Sequence, residues 1–384
     1  MKTKVSRRTF LTSAIGAAIA STVPLAWKSS VVAQQTQSAP SSNAKFYRFK
    51  LGNFQMTSIE DGVFLNMPAK AFAGNATPAQ LNEVLQQGSQ SETLTLNCNI
   101  LLVDTGTEKV LIDAGSGFLT EPTAGKLISN LQTLEIKPTD IDAIIITHAH
   151  VDHVGGLLNS TGALAFPQAR YFVSKAEYDF WTSPEVNLPN VQVDEKTKQQ
   201  FISIAQKCLG AIQNKVTRFE GEGEILPGFY AIPAPGHTPG QVAIRIVSGN
   251  ESIIHTADVV HTHTINLWHP NWQPIFDADP DQAAATRQQI LSAIADHRQL
   301  MYAYHFPFPG IGYLKSRAEE GFEWQPIKGQ KFCSDRAISS SHRNWQIYIA
   351  RKRLGIEAIK IPSGHYPHLS HPIRLAEVLN AIAS

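Results

Sequence analysis

Cysteine is scarce in this chain, with three in 384 residues. Cys98, Cys208 and Cys333 are odd in number and far apart, which excludes both a disulfide framework and a Cys-x-x-Cys metal motif. Net charge is scarce too. At +1, with 33 basic residues against 32 acidic, the chain offers no electrostatic footprint for a nucleic-acid or polyanion partner. It contains no Gly-x-Ser-x-Gly elbow, which excludes a serine nucleophile presented in that way. What is present is 43% hydrophobic, 9% aromatic and 17% charged residues, the balance of a globular chain with ample core. The length suits one large domain or two of medium size.

The residues with chemistry crowd into one stretch. Thr147-His148-Ala149-His150-Val151-Asp152-His153-Val154-Gly155-Gly156 sets four candidate metal ligands, His148, His150, Asp152 and His153, almost side by side. It follows the apolar run Ala143-Ile144-Ile145-Ile146, itself preceded by the turn signal Lys137-Pro138-Thr139-Asp140. Such a run reads as a strand covered on both faces. The ligands then hang off its tip, on a loop free of ladder hydrogen bonds, where side chains can converge on an ion. Neutral imidazoles with a carboxylate suit zinc or another borderline divalent ion without any thiolate. An exposed polar loop rich in histidine is the bland alternative, and it leaves the preceding apolar strand unexplained.

The pattern His148-Ala149-His150-Val151-Asp152-His153 resembles the signature of the metallo-β-lactamase-fold hydrolases. That resemblance implies an α/β chain folded as an αββα four-layer sandwich. The element pattern agrees with such mixing. An edge hairpin is expected from Phe46-Tyr47-Arg48-Phe49 and Met56-Thr57-Ser58-Ile59, a helix from Thr77-Pro78 to Gly88, and a second hairpin from Leu94–Val103 into Val110–Asp113. A helix from about Pro122 to Leu134 leads into the metal strand. Beyond it come the strand Tyr171-Phe172-Val173, a helix opened by the capping box Ser174-Lys175-Ala176-Glu177, and a longer helix over roughly Glu195 to Gln213. A further helix is expected from about Asp281 to Ala295.

Three later segments complete the set the resemblance implies. In Pro233-Ala234-Pro235-Gly236-His237-Thr238-Pro239-Gly240, three prolines and two glycines hold one histidine in a rigid strand-to-strand turn, which limits the entropy a ligand loses on binding. The resemblance places the next ligand at His237. It places the bridging aspartate at Asp258, beyond the strand Ser252-Ile253-Ile254-His255-Thr256, and the last ligand at His305, after the strand Gln299–Tyr304. One ion is thus assigned to His148, His150 and His237, the other to Asp152, His153 and His305, with Asp258 between them. Asp152 and Asp258 are the catalytic carboxylates on this view. His261, His263, His269 and Trp272, in the loop after Asp258, are candidates for contacting ligands or substrate.

The implied cofactors are two divalent metal ions, zinc first, with manganese, cobalt or iron as alternatives. A water bridging two ions held about 3.5–4 Å apart loses its proton near neutral pH and becomes the nucleophile. Within the family the chain most resembles the methyl parathion hydrolase group. The likeness rests on Asp61-Gly62, Asp113-Ala114-Gly115, Phe180-Trp181 and Phe308-Pro309-Gly310-Ile311-Gly312, and spans about Phe46 to Lys328. It implies a hydrolase of small, apolar, uncharged esters, lactones or organophosphate triesters. The expected cleft wall is Trp181, Phe118 and Phe306, with a place in the core as the alternative for the Phe180-Trp181 pair, and no Arg or Lys stands inside the ligand motifs to hold an anionic substrate. Two other classes use the same fold. A di-iron oxidoreductase would carry Glu at the position of His150 and append a flavin domain, and a non-catalytic binding protein would not need the full ligand set.

The ends of the chain read as separate parts. Ser6-Arg7-Arg8-Thr9-Phe10-Leu11 resembles the twin-arginine export signal, and residues 1–33 are assigned to it, with Val31-Val32-Ala33 as the cleavage site. The rival is an uncleaved anchor, since Thr9 to Trp27 almost reaches the length of a bilayer span. The expectation is therefore periplasmic or secreted protein with no stable membrane span after processing. Residues 34–45 form a linker and 46–328 the hydrolase domain. The extension 329–384 resembles the tail of α/β-hydrolases around His365, His368 and His371. Lacking the elbow that chemistry requires, it is expected to pack its stripe Leu375, Val378, Leu379 and Ile382 on the domain or on a second subunit, as in a homodimer.

Overall fold

The computed structural model describes residues 46–120 and 123–327. The export signal, the linker and the C-terminal extension lie outside the described residues. Seven strands, β1 (Phe46–Leu51), β2 (Phe54–Pro68), β3 (Thr93–Asp104), β4 (Lys109–Ile112), β5 (Ala143–Ile146), β6 (Arg170–Ser174) and β7 (Val216–Phe219), form one sheet in chain order. It is antiparallel from β1 to β4 and parallel from β4 to β7. A second sheet holds β8 (Gly223–Leu226), β9 (Phe229–Pro233), β10 (Val242–Ser248), β11 (Glu251–His255), β12 (Leu300–Tyr302), β13 (Ile311–Ser316) and β14 (Phe322–Pro326), also in chain order.

The period-two alternation of β5 shows how the layers stack. Ala143 and Ile145 enter the core between the sheets, against residues such as Phe229, Ile244 and Ile253. Ile144 and Ile146 face the other way, into a cluster with Leu131, Trp181 and Leu209. Those partners lie on or beside the helices α2 (Leu127–Thr133), α4 (Lys175–Thr182) and α5 (Glu195–Ala211), which cover the first sheet. On the far side, α7 (Pro280–Asp296) covers the second sheet through Ile290, Leu291 and Ile294 against Ile254 and Met301. The expected αββα sandwich is the fold found. A further cluster joins α1 (Pro78–Gly88), capped by Thr77 and Gln80, to Phe72, Ile265 and Trp272.

Several elements differ from the sequence reading. The first hairpin's second strand continues to Pro68, with register shifts at Glu60/Gly62 and Phe64/Met67. The helix expected from about Pro122 is found over Leu127–Thr133, and just before it the backbone N–H groups of Gly125 and Leu127, with that of Ser116, turn in to the buried Asp61 carboxylate and keep residues 123–126 out of the helix. Two four-residue helices, α3 (Val151–Val154) and α6 (Ile265–Trp268), lie within expected loops. The supposed capping box at Ser174 is only half formed. Ser174 accepts from the Glu177 N–H, but the Glu177 carboxylate points elsewhere.

Candidate metal centre

All the ligand segments reach one edge of the sandwich. β5 ends two residues before His148, β9 and β10 flank the turn carrying His237, β11 ends three residues before Asp258, and β12 ends three before His305. Ala257 adopts φ +47, a left-handed conformation that a β-carbon disfavours. Such strain persists where the surrounding fold over-determines it, and here it aims the next residue, Asp258, into the centre.

The structure brings together every residue assigned to the two ions. His148, His150 and His237 place ligand atoms within 4.8 Å of one another, as do His148, His153 and Asp258. Asp152 belongs to a third group with His305 and Cys98, and Asp258 to a fourth with His237 and His261. Asp258 is central. Its Oδ2 stands 3.2 Å from His305 Nε2, 3.5 Å from His237 Nε2 and 3.8 Å from His148 Nε2, and its Oδ1 stands 3.2 Å from His153 Nε2. Asp152 Oδ2 lies 3.4 Å from His305 Nε2 and 3.6 Å from His153 Nε2.

Four of the five ligand rings have their other nitrogen occupied. His153 Nδ1 lies 2.8 Å from Asp113 Oδ2, His237 Nδ1 2.8 Å from Asp277 Oδ1, His305 Nδ1 2.9 Å from the Asn97 carbonyl and His148 Nδ1 3.1 Å from Thr147 Oγ1. Acceptors on that side fix the tautomer and leave the inward nitrogen with a lone pair to give. Thr147 itself donates to Asp113, so its oxygen is free to accept from His148. Inside the centre, His148 Nε2, His153 Nε2 and Asp258 Oδ1 are buried and make no hydrogen bond. Buried polar atoms without partners are rare in folded proteins. Several pointed at one place, with His150 Nδ1 and His237 Nε2 only 2.9 Å apart, are the environment a cation completes. The donor set of imidazoles and carboxylates fits divalent ions of the zinc type.

The electrostatics divide the rings into two kinds. Burial, reinforced by neighbouring histidines, holds His148 and His150 well below the ordinary imidazole range. Burial also pulls on His153 and His305, yet Asp258 and Asp152 outweigh it and raise both, with Asp113 contributing at His153. Burial opposes the charge of Asp258, but His305 and His153 beside it hold the carboxyl well below its usual range.

Four residues near the centre escaped sequence reasoning or entered it only as loop candidates. His261 alone of its loop joins the cluster, with Nε2 3.3 Å from Asp258 Oδ2 and its ring stacked 5.6 Å from that of His305. Its signal was the spacing of three from Asp258. Asp277 and Asp113 orient His237 and His153, and neither position carries a local motif that shows this. Cys98, dismissed as an isolated cysteine, sits in the centre's wall because β3 runs beneath Asp152 and His305.

The expected cleft wall needs correction. Trp181 and Phe306 have no exposed surface. The Trp181 ring packs behind His150, with centroids 5.8 Å apart, and Phe306 packs against Trp324 in the outer core of the second sheet. A ring with every face covered cannot wall a cleft in this state. Phe118 is 48% exposed and, with Leu65, is one of two large apolar side chains so exposed among the described residues. It follows Gly117, where φ is +59 and an added β-carbon would lie 2.6 Å from the Gly155 carbonyl oxygen. The Phe118 loop is thereby seated against the end of the ligand motif.

Comparison with known proteins agrees with fold and centre. The model of the metallo-beta-lactamase superfamily matches residues 94–305, more than half of the chain, and the chain belongs to that superfamily. It is similar to the solved structure of AidC, a dizinc quorum-quenching lactonase in complex with a product, at 33% identity and TM-score 0.70, over 75% of this chain and 98% of that one. It is also similar to the hydrolase AbOPH, of the beta lactamase superfamily, at 29% identity and TM-score 0.68, over 75% and 99%. A probable metallo-hydrolase of Mycobacterium bovis is 24% identical over 44% of this chain. The chain spans 58% of the length of that curated relative. The chain is thus a member of this superfamily that carries a His/Asp cluster of metal-ligand type, and among the described residues no helix is long and apolar enough to cross a membrane.

Proposed function

We propose that the chain is a binuclear metallohydrolase acting on neutral, apolar lactones and related esters. The observation that carries this reading is the convergence of His148, His150 and His237 on one side of Asp258, and of Asp152, His153 and His305 on the other, with buried inward atoms lacking partners. Two divalent ions, when bound, supply Lewis-acid polarisation of the attacked oxygen and activation of water as nucleophile near neutral pH. The chain's own residues do the rest. Asp258 touches both triads and holds them in one frame. Asp152 presents its Oδ2 to the second half and is placed to accept a proton from water and pass it to the leaving alkoxide. His261, buried with Nε2 3.3 Å from Asp258 Oδ2, is placed to orient that shared carboxylate.

The lactone preference is supported by the likeness to a lactonase whose full length the chain covers. Phosphotriesters form the second reading, supported by the motifs shared with the methyl parathion hydrolase group. A test compares kcat/KM on an acyl lactone, an aryl ester, a neutral aryl phosphotriester and a β-lactam, using protein reconstituted with zinc, manganese or cobalt and assayed for metal content. The lactone should lead. A β-lactam as best substrate, or full activity in protein stripped of metal, would overturn the proposal. We also propose export by the twin-arginine route. Changing Arg7-Arg8 to Lys-Lys should keep the protein in the cytoplasm, because the pair is read by a receptor, and unchanged export would point to another route.

A further inference from the structure

Glu177 is a carboxylate with no exposed surface, in the first turn of α4. A buried anion is costly unless it is fully hydrogen-bonded. Here four donors surround it and no acceptor does. Oε1 accepts from the Ala149 N–H at 2.8 Å and from Trp181 Nε1 at 2.7 Å. Oε2 accepts from Thr238 Oγ1 at 2.7 Å and from the Gly240 N–H at 2.9 Å. Ala149 stands between the ligands His148 and His150. Thr238 and Gly240 follow the ligand His237. One oxygen thus grips the loop that leaves the first sheet, and the other grips the turn that belongs to the second.

Two further contacts seal the same joint. Ser174 Oγ donates to the Gly240 carbonyl at 2.6 Å while accepting from the Glu177 N–H. Gly240 comes so close to the helix that an added β-carbon would lie 2.0 Å from the Glu177 nitrogen, so the turn docks only because this residue is glycine. Trp181, held by the same carboxylate, backs the His150 ring.

We infer that Glu177 is a positioning residue that locks the His148–His150 loop to the His237 turn and so sets the affinity of that three-histidine half of the centre. Helix capping does not account for it, since Ser174 caps α4 and the carboxylate faces away from the cap. Nor does a general stabilising role, because its partners on other elements all lie within three residues of first-half ligands. Outer-shell groups of this kind are worth about 10–100-fold in metal affinity. Glutamine has the same shape, but its amide nitrogen would face the donors of one arm. The inference rests on the two-ion reading above.

The test uses zinc and the full chain stripped of metal, with affinity measured by chelator competition. His305→Ala leaves the first triad intact and cripples the second, and His150→Ala does the reverse. Adding Glu177→Gln should weaken zinc binding about 10–100-fold in the His305→Ala background and less than about threefold in the His150→Ala background. Equal losses in both backgrounds, or none in the first, overturn the inference. Should Glu177→Gln not fold, Thr238→Val removes one arm without altering charge and should give a smaller loss in the His305→Ala background alone; an equal loss in both again overturns it. A wild-type chain that takes up no zinc defeats the two-ion reading itself, whereas two bound ions with equal losses defeat the role of Glu177 only.

Discussion

His148, His150 and His237 meet at Asp258 as three rings with no carboxylate of their own, whereas His153 and His305 come with Asp152 among them. In the first half the anions stand behind the ligands, as Glu177 under the loop and turn and Asp277 against the His237 ring. In the second an anion stands in front, and Asp113 and a backbone carbonyl hold the rings from behind. Burial dominates the first pair of rings and lowers them, while charge dominates the second and raises them. Similar ligands are thus tuned in opposite directions by where the carboxylates are placed. The first half keeps its carboxylates behind the rings, and the second has one among them.

The largest effect is expected where the halves meet. Asp258→Ala removes the carboxylate that touches both triads and leaves like charges without the anion between them. Activity should fall by several kcal/mol of barrier, about 10³-fold, with most bound metal lost from a chain that stays folded by circular dichroism. A variant that kept two ions and near-normal turnover would remove Asp258 from the centre.

A second prediction concerns the strand that presents the bridge. His255 ends β11, its Nδ1 accepts from the Ala257 N–H and its ring stacks on Tyr302. Burial lowers it to about 4, so the folded chain needs it neutral. Unfolded, it takes a proton near 6.5. The unfolded state therefore binds more protons between those values, and stability is present above about pH 6.5 and is lost as pH falls towards 4. That part is on the order of 3 kcal/mol. Denaturant melts of metal-depleted protein should show it, and His255→Phe, which keeps the stack, should flatten that part of the slope. An unchanged slope would place the acid sensitivity elsewhere. Because His255 serves the shared bridge, acid acting through it weakens both halves alike.

The halves themselves can be separated from behind. Asp277→Asn should weaken only the ion of the first half, and Asp113→Asn chiefly that of the second, each by about 10–100-fold as read by chelator titration, with a smaller loss in the first half at Asp113 because Thr147 links it to His148. Asp277→Asn also leaves Arg287 buried without its anion, so a lower melting temperature should accompany it, and a matching drop is not expected at Asp113. If both variants lost the same ion, the division into two halves would be wrong.

How much of this could be read from the sequence depends on range. His148, His150, Asp152 and His153 were legible because a buried strand and a short motif adjoin in the chain. His237 was legible because prolines and glycines flank it. Asp258 and His305 needed the family pattern, since a lone residue past a strand end says little. The strands β7, β8, β13 and β14 were missed: β7 and β8 are four residues each and largely exposed, β13 follows directly on the Pro309-Gly310 turn, and β14 alternates over only five. Glu177 was read as a cap because Ser-x-x-Glu is a local signal, while the four donors that define it come partly from residues 28 and 61 to 63 positions away. Trp181 and Phe306 looked like cleft walls because composition cannot tell a ring behind a ligand from one in front of it.

Phe118 remains as the accessible aromatic of the expected wall, and the effect of removing it should be the smallest. Its loop is fixed at one end by Asp61, which receives the Ser116 N–H at 2.8 Å, and by Gly117 against Gly155. The ring is thus a half-exposed apolar surface on a close-packed support beside the ligand motif. Such a group binds ground state and transition state alike, so its loss raises KM and leaves kcat unchanged. Covering about half a phenyl ring is worth about 1 kcal/mol, or roughly fivefold. Phe118→Ala should therefore raise KM about fivefold for long-chain acyl lactones, less for short ones, and leave metal content and melting temperature unchanged. A KM that does not depend on chain length, or a fall in kcat instead, would take Phe118 out of the substrate's path and leave the apolar surface to residues beyond the ligand loops.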